Sequence, residues 1–188
     1  MEDHFDFREL KIRQPARLIP GHASYEIYDT ERHLLAVASE GAGRTRFETL
    51  TRLIPGTRVL AVNTAAGDPM LTLVKRDTDW AADLTGPAGE RLGRIRIGDT
   101  RRTYTLLDHA DQVVGEATGD LAVKNFSVTG PGGERIAQVR KTWAGLRKEL
   151  LTSADHYTVK FTGPVSSPTR VLTVMMTIVL DLARYGPD

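Results

Sequence analysis

At 188 residues, 40% hydrophobic and 26% charged, the chain is long enough for one sizeable domain and ordinary in composition for a globular protein. Its formal net charge is +1, so bulk charge does not make it a polyanion binder, and any pull toward a membrane or nucleic acid must come from a local patch. The absence of cysteine excludes disulfides, thiolate metal sites, cysteine nucleophiles and S-palmitoylation.

The opening MEDHFDFREL is acidic and has no apolar h-region, so no secretory leader is expected. Glu2 after Met1 removes an N-myristoylation motif. The expected location is cytoplasmic, peripheral to a membrane at most. Residues 1–9 read as a tail, and LKIR at Leu10–Arg13 reads as a first strand, stopped by Pro15.

Alternating segments then recur around polar turns. Tyr25–Tyr28 passes through Asp29–Arg32 into Leu34–Ala38, and Val59–Val62 through Asn63–Pro69 into Met70–Lys75. Ala81–Leu84 leads through Thr85–Gly89 into Leu92–Ile97, and Tyr104–Leu107 through Asp108–Asp111 into Val113–Ala117. Phe126–Val128 turns at Thr129–Gly133 into Ile136–Trp143. Each pair has the Gly, Pro and Asp content of a β-hairpin. With Leu10–Arg13 and Tyr157–Phe161 they make about twelve strands. Residues 41–56 and 144–156 read as irregular connections, with a short element at Leu146–Leu151 as an option.

The strands have unlike faces. Ile95 and Ile97 lie opposite Arg94 and Arg96, and Phe126 and Val128 lie opposite Ser127. Such strands belong to an antiparallel sheet with one solvated side. A propeller is the other repetitive all-β option, but no blade motif recurs at about 40 residues.

Ser167–Tyr185, SPTRVLTVMMTIVLDLARY, is the one long apolar stretch. Ser167 reads as its N-cap, Pro168 as its first turn and Gly186-Pro187 as its stop, giving a helix over 168–185 about 27 Å long. Val171, Thr173, Val174, Thr177, Ile178 and Val179 are β-branched and favour strands, but the Ser-Pro start and the length favour helix. Its uninterrupted run is Val171–Leu180, against the about 20 residues a span requires, and Asp181 would be costly in lipid. A helix apolar on every side must then be buried in protein on every side. A closed β-barrel around it serves both parts: the strands bury their apolar face and the helix fills the lumen.

The segment IAQVRKTWAGLRKELLTSADHYTVKF and the helix after it resemble the C-terminal part of the phospholipid scramblase family. The matching residues are Lys141, Trp143 and Gly145 (with Glu149 one place late), then Asp155, Tyr157, Val159 and Phe161, then Leu180-Asp181. LKIRQ and YEIYD are similar to the family's early strands. The resemblance implies the Tubby C-terminal-like fold shared with LURP-one-related proteins: a twelve-stranded antiparallel barrel enclosing a central helix, here a single domain over 10–185. Eukaryotic scramblases add a proline-rich extension, palmitoylated cysteines and an acidic calcium stretch before the helix. Here no such extension is expected and there is no cysteine, and Asp155 is the one carboxylate left in the third stretch, whereas calcium takes six to eight oxygens.

No catalytic motif is present. His4, His22, His33, His109 and His156 are scattered without ligand spacing, and the Gly130–Gly133 run reads as a turn rather than a phosphate loop. No metal or cofactor is expected. Arg94, Arg96, Arg101 and Arg102 gather on one hairpin and Arg140 and Lys141 on another stretch, a candidate outer surface for anionic ligands. Asp181 is a candidate buried structural carboxylate near a barrel mouth, paired with a backbone N–H or an Arg. The expected function is a non-enzymatic scramblase-related binding or interaction domain that meets anionic phospholipid headgroups, or a protein partner, through its outer basic surface. Nucleic acid is not an expected partner. The alternatives are phospholipid scrambling or lipid transfer, and a small enzyme or ligand-binding barrel with a site at a mouth.

Overall fold

The computed structural model describes residues 4–15, 23–41, 56–143 and 155–183. These form twelve strands: β1 (Glu9–Arg13), β2 (Ser24–Tyr28), β3 (Leu34–Glu40), β4 (Thr57–Thr64), β5 (Pro69–Arg76), β6 (Ala81–Thr85), β7 (Arg91–Ile97), β8 (Thr103–Asp108), β9 (Val113–Gly119), β10 (Asn125–Thr129), β11 (Arg135–Trp143) and β12 (Asp155–Phe161). One helix follows, α1 (Ser167–Leu182). Every strand expected from the sequence is present. Asp155 and His156, read as the end of a connection, belong to β12. The stop at Gly186-Pro187 and the option at Leu146–Leu151 lie outside the described residues.

Each strand pairs antiparallel with its neighbours in sequence, and β1 pairs with β12, closing the barrel. Closure sets Leu10 opposite Val159 and Ile12 opposite Tyr157. Chain reversal uses one local device. In the turns 29–33, 64–68, 86–90, 108–112, 120–125 and 130–134, an amide three residues on donates back to the carbonyl that begins the turn. The donor of that bond has a left-handed backbone. It is Gly67, Gly89 or Gly133 in three turns, where glycine adopts the conformation without a Cβ penalty, but Arg32, Asp111 or Val123 in the others.

The alternation sends Leu10, Ile12, Tyr25, Ile27, Leu60, Leu73, Leu84, Ile95, Leu106, Phe126, Val128, Val139 and Val159 inward, each no more than 1% exposed. There they meet α1, whose residues from Thr169 to Leu182 are all buried. The helix packs against β5, β7, β8 and β12, so it is covered from several sides of the wall. The all-round apolar surface of Val171–Leu182 is thereby matched by an all-round apolar lining. Gly93 on β7 lets the helix approach: a Cβ there would stand 2.4 Å from the Leu107 carbonyl oxygen and 3.1 Å from Leu172.

The helix start differs from the sequence expectation by one residue. Ser166, not Ser167, is the N-cap, and its hydroxyl bonds the Thr169 hydroxyl at 2.8 Å rather than a helix amide. Pro168 fills a first-turn position whose amide would have had no intrahelical acceptor. Within the helix, Thr173 and Thr177 return their hydroxyls to the Thr169 and Val174 carbonyls, so polar groups at 0% exposure remain bonded.

At the N-terminal end of α1, residues 4–8 contribute to the core ahead of the first strand. Phe5 is 2% exposed. The Arg170 guanidinium donates to the Phe5 and Phe7 carbonyls at 3.2 and 2.7 Å and pairs with Asp6 at 3.2 Å. It also lies 4.2 Å over the Phe161 ring. A buried cation with carbonyl, carboxylate and π partners is satisfied on all sides.

Candidate functional site

The basic residues of the sequence divide into spent and available charges. On β7, Arg94 and Arg96 point outward. The Arg94 Nε donates to Asp83 at 2.6 Å, and Arg91 next to it forms a two-pronged pair with Asp111. Bonding to these carboxylates raises the pKa of both arginines, Asp83 acting on Arg94 and Asp111 on Arg91. Arg76 joins the same lattice through Asp79 and Asp83. This side of the barrel is a solvated face laced with ion pairs, with Arg96 exposed among them.

Arg101 and Arg102 lie in the β7–β8 turn. Arg101 has a left-handed backbone and sits 5.7 Å over the half-exposed Trp80 ring. Arg102 is partly covered and donates to the Gly119 carbonyl. Lys141 corrects the sequence expectation. It shares its face of β11 with Ala137 and Val139, is 5% exposed, and its ammonium sits 5.3 Å over the Tyr157 ring. It belongs to the interior near one mouth, not to the outer surface. Arg140, its neighbour, points outward as expected.

Arg140 lies on a different and more open basic face, formed where the barrel closes. Register aligns Arg140, Thr158, Lys11 and Tyr28 across β11, β12, β1 and β2. The row beside it holds Thr142, His156, Arg13 and Glu26, and Lys160 stands opposite Glu9. At about 4.8 Å between strands and about 7 Å between same-face residues, these side chains share a patch the size of a few lipid headgroups. Among the described residues, Lys11, Arg13, Arg140 and Lys160 form no ion pair, and neither does Arg32 in the β2–β3 turn. A cavity of about 540 Å³ opens on this face, lined by Lys11, Arg13, Tyr28, Arg32, His156 and Thr158 among others. Glu26 accepts the Tyr28 hydroxyl at 2.8 Å. Burial, and then that carboxylate, push the Tyr28 phenol above its usual range, so it stays protonated.

The turn carrying Arg32 is tightly built. Asp29, 5% exposed, accepts the His33 amide and meets the His33 ring, both at 2.9 Å. Burial pulls the Asp29 pKa upward, but the His33 amide, ring and charge outweigh it and hold the carboxyl below its usual value. The bond and charge of Asp29 raise the His33 imidazole in turn.

Asp181, in the last turn of α1, is 1% exposed and accepts the Tyr25 hydroxyl at 2.7 Å. It is buried, and the Tyr25 phenol on the wall is one of its partners. At the same mouth, Lys75 faces inward from β5 and donates to the Arg76 and Asp79 carbonyls. Burial lowers its pKa, against the neighbouring Asp77 and Asp79. The adjoining cavity is small, about 50 Å³. Among the described residues, no group of three or more His, Asp and Glu could hold a metal. The side chain of Asp155, at the start of β12, lies outside the described part. No described helix is long and apolar enough to cross a membrane.

A closed twelve-stranded antiparallel barrel with an apolar C-terminal helix in its lumen defines the class: a Tubby C-terminal-like barrel. The Scramblase family profile matches residues 61–186, more than half of the chain, and the protein belongs to that family. A crystal structure of an Arabidopsis thaliana protein aligns with a TM-score of 0.55 at 13% identity, covering 95% of this chain and 92% of that one. At that identity the likeness is one of fold. Comparison with curated proteins gives no match.

Proposed function

We propose that this scramblase-related domain is a non-enzymatic binding module that meets anionic phospholipid from the outside of its barrel, on the β11–β12–β1–β2 face. The observation carrying this reading is the set of cations on that face, Lys11, Arg13, Arg140 and Lys160, that form no ion pair among the described residues. Paired charges such as Arg94 with Asp83 have little left to offer a ligand, whereas these cations keep more of theirs, reduced by Glu26 opposite Arg13 and Glu9 opposite Lys160. The helix is occupied with the lumen, so attraction to a bilayer has to be electrostatic and superficial.

Each Lys or Arg near an anionic surface contributes about 1 kcal/mol of attraction. Replacing these four cations with Gln together should weaken vesicle binding by up to about a thousandfold. Sedimentation with phosphatidylcholine vesicles containing phosphatidylserine measures this. Binding should fall as salt rises from about 0.1 to about 0.5 M. An absence of sedimentation at low salt, or a quadruple variant that binds like the parent, rejects the reading.

A further inference from the structure

We infer that the cavity between β1, β2 and β12 is a headgroup site for a phosphomonoester, an inference that rests on the anionic-lipid reading of this face. A volume of about 540 Å³ falls within the about 300–1,000 Å³ of small-molecule sites, so the cavity has room for a headgroup. Lys11, Arg13 and Arg32 all line it, and none forms an ion pair among the described residues. Glu26, opposite Arg13 in register, accepts the Tyr28 hydroxyl and offsets one of these three positive charges, so the cavity keeps a net excess of about two.

The ligand class follows from charge and geometry. A phosphodiester such as phosphatidylserine offers two unesterified oxygens and one negative charge at its phosphate. Two guanidiniums and an ammonium around one concavity exceed what it can compensate. A phosphomonoester carries about −1.5 to −2 at neutral pH and three acceptor oxygens. Arginine forks match such oxygens in pairs, and lysine adds a point charge. The Thr158 hydroxyl stands on the same lining.

Arg32 supplies a second, independent observation. Its φ is +71°, and Gly67, Gly89 and Gly133 take the equivalent place in three other turns. A non-glycine residue there carries a left-handed backbone that costs about 1–2 kcal/mol. The turn is locked by the buried Asp29, which receives the His33 amide and ring. Asp111 at the equivalent place in its own turn is engaged by Arg91, whereas Arg32 is directed to the cavity without an ion pair. Val123 takes the same backbone in its own turn, so the conformation fixes where Arg32 stands, and its place on the cavity lining is what points it to a ligand.

The test uses the full chain and vesicles of phosphatidylcholine with either phosphatidic acid or phosphatidylserine, matched in measured surface potential. The expected result is preference for phosphatidic acid by about tenfold or more. Arg32→Gly should abolish that preference while the protein stays at least as stable, because glycine relieves the backbone. Arg13→Gln should do the same without any backbone effect, and Arg96→Gln, on the far face, should leave the preference intact. Equal binding to the two vesicles overturns the phosphomonoester site while leaving the anionic-surface reading standing; binding to neither rejects both. Calorimetry with soluble glycerol 3-phosphate separates the sources. Vesicle preference with weak soluble binding supports a lipid headgroup, and soluble binding sensitive to Arg32→Gly supports the same site for a free phosphomonoester. Retention of the preference by both Arg32→Gly and Arg13→Gln refutes the assignment.

Discussion

The bond from Tyr25 to Asp181 fastens the lumenal helix to the barrel wall, and its removal is a direct measure of how the mouth is held together. The two residues are 156 positions apart, each 1% exposed, with the phenol donating at 2.7 Å. Asp181 sits in the last turn of α1, where the helix dipole disfavours an anion, so its carboxylate depends on donors from the wall. Tyr25→Phe removes one hydroxyl and keeps the ring in place. Loss of a hydrogen bond to a carboxylate should cost about 1.5–3 kcal/mol. In a chain of this size that corresponds to a melting temperature lower by roughly 3–12 °C. Asp181→Leu should also destabilise, by removing the carboxylate that accepts the Tyr25 hydroxyl, at about 1–3 kcal/mol. The double variant should lose less than the sum of the two, because it removes donor and acceptor together. Urea unfolding of all four proteins gives the coupling energy, expected between about 0.5 and 3 kcal/mol. A Tyr25→Phe protein within about 0.5 kcal/mol of the parent, or strict additivity in the cycle, would show that the bond does not tie helix to wall.

Gly93→Ala should destabilise by about 1–3 kcal/mol, because the added Cβ meets the Leu107 carbonyl at 2.4 Å and backbone cannot yield cheaply; denaturant titration measures it. Arg170→Met keeps a long side chain near Phe161 but strands the Phe5 and Phe7 carbonyls. It should cost on the order of 2 kcal/mol and speed proteolysis near residues 5–7, whereas Asp6→Asn, on a residue 71% exposed in its side chain, should change little. The Asp29–His33 turn sets a pH dependence. The raised His33 pKa means that its contribution is fully present below the ordinary value of 6.5 and fades as pH climbs through the folded value. The lowered Asp29 pKa means that its share is present above 3.8 and is lost as pH falls through the folded value. Stability relative to His33→Gln should therefore be greater at about pH 5 than at about pH 8; a difference that does not vary with pH refutes the linkage.

Much of the architecture was legible along the chain because it is written in local terms. Turn residues every dozen or so positions, and strands such as LGRIRI with Ile95 and Ile97 opposite Arg94 and Arg96, specify one-faced hairpins without reference to anything distant. The helix was legible for the converse reason: between Val171 and Leu182 only Thr173, Thr177 and Asp181 interrupt the apolar residues, too narrow a row for a solvated face, and a cylinder with no wet side needs a full enclosure. The inward position of Lys141 was legible in principle, since it alternates in step with Ala137 and Val139, but proximity to Arg140 in the sequence pointed the other way.

The site was a different matter. Arg94 looks available in the sequence, and only the β6–β7 register places Asp83 against it. Lys11 and Arg13 stand at one end of the chain and Arg140 and Lys160 at the other, and no periodicity links them. Closure of β1 onto β12 makes them neighbours, just as it needs the fold to bring Tyr25 to Asp181. The sequence determined which segments would be strands, where they would turn and that the last helix must be enclosed, because period and turn chemistry act between near neighbours. Tertiary structure decided which charges are spent and which are left over, because an ion pair depends on what faces a side chain across the sheet.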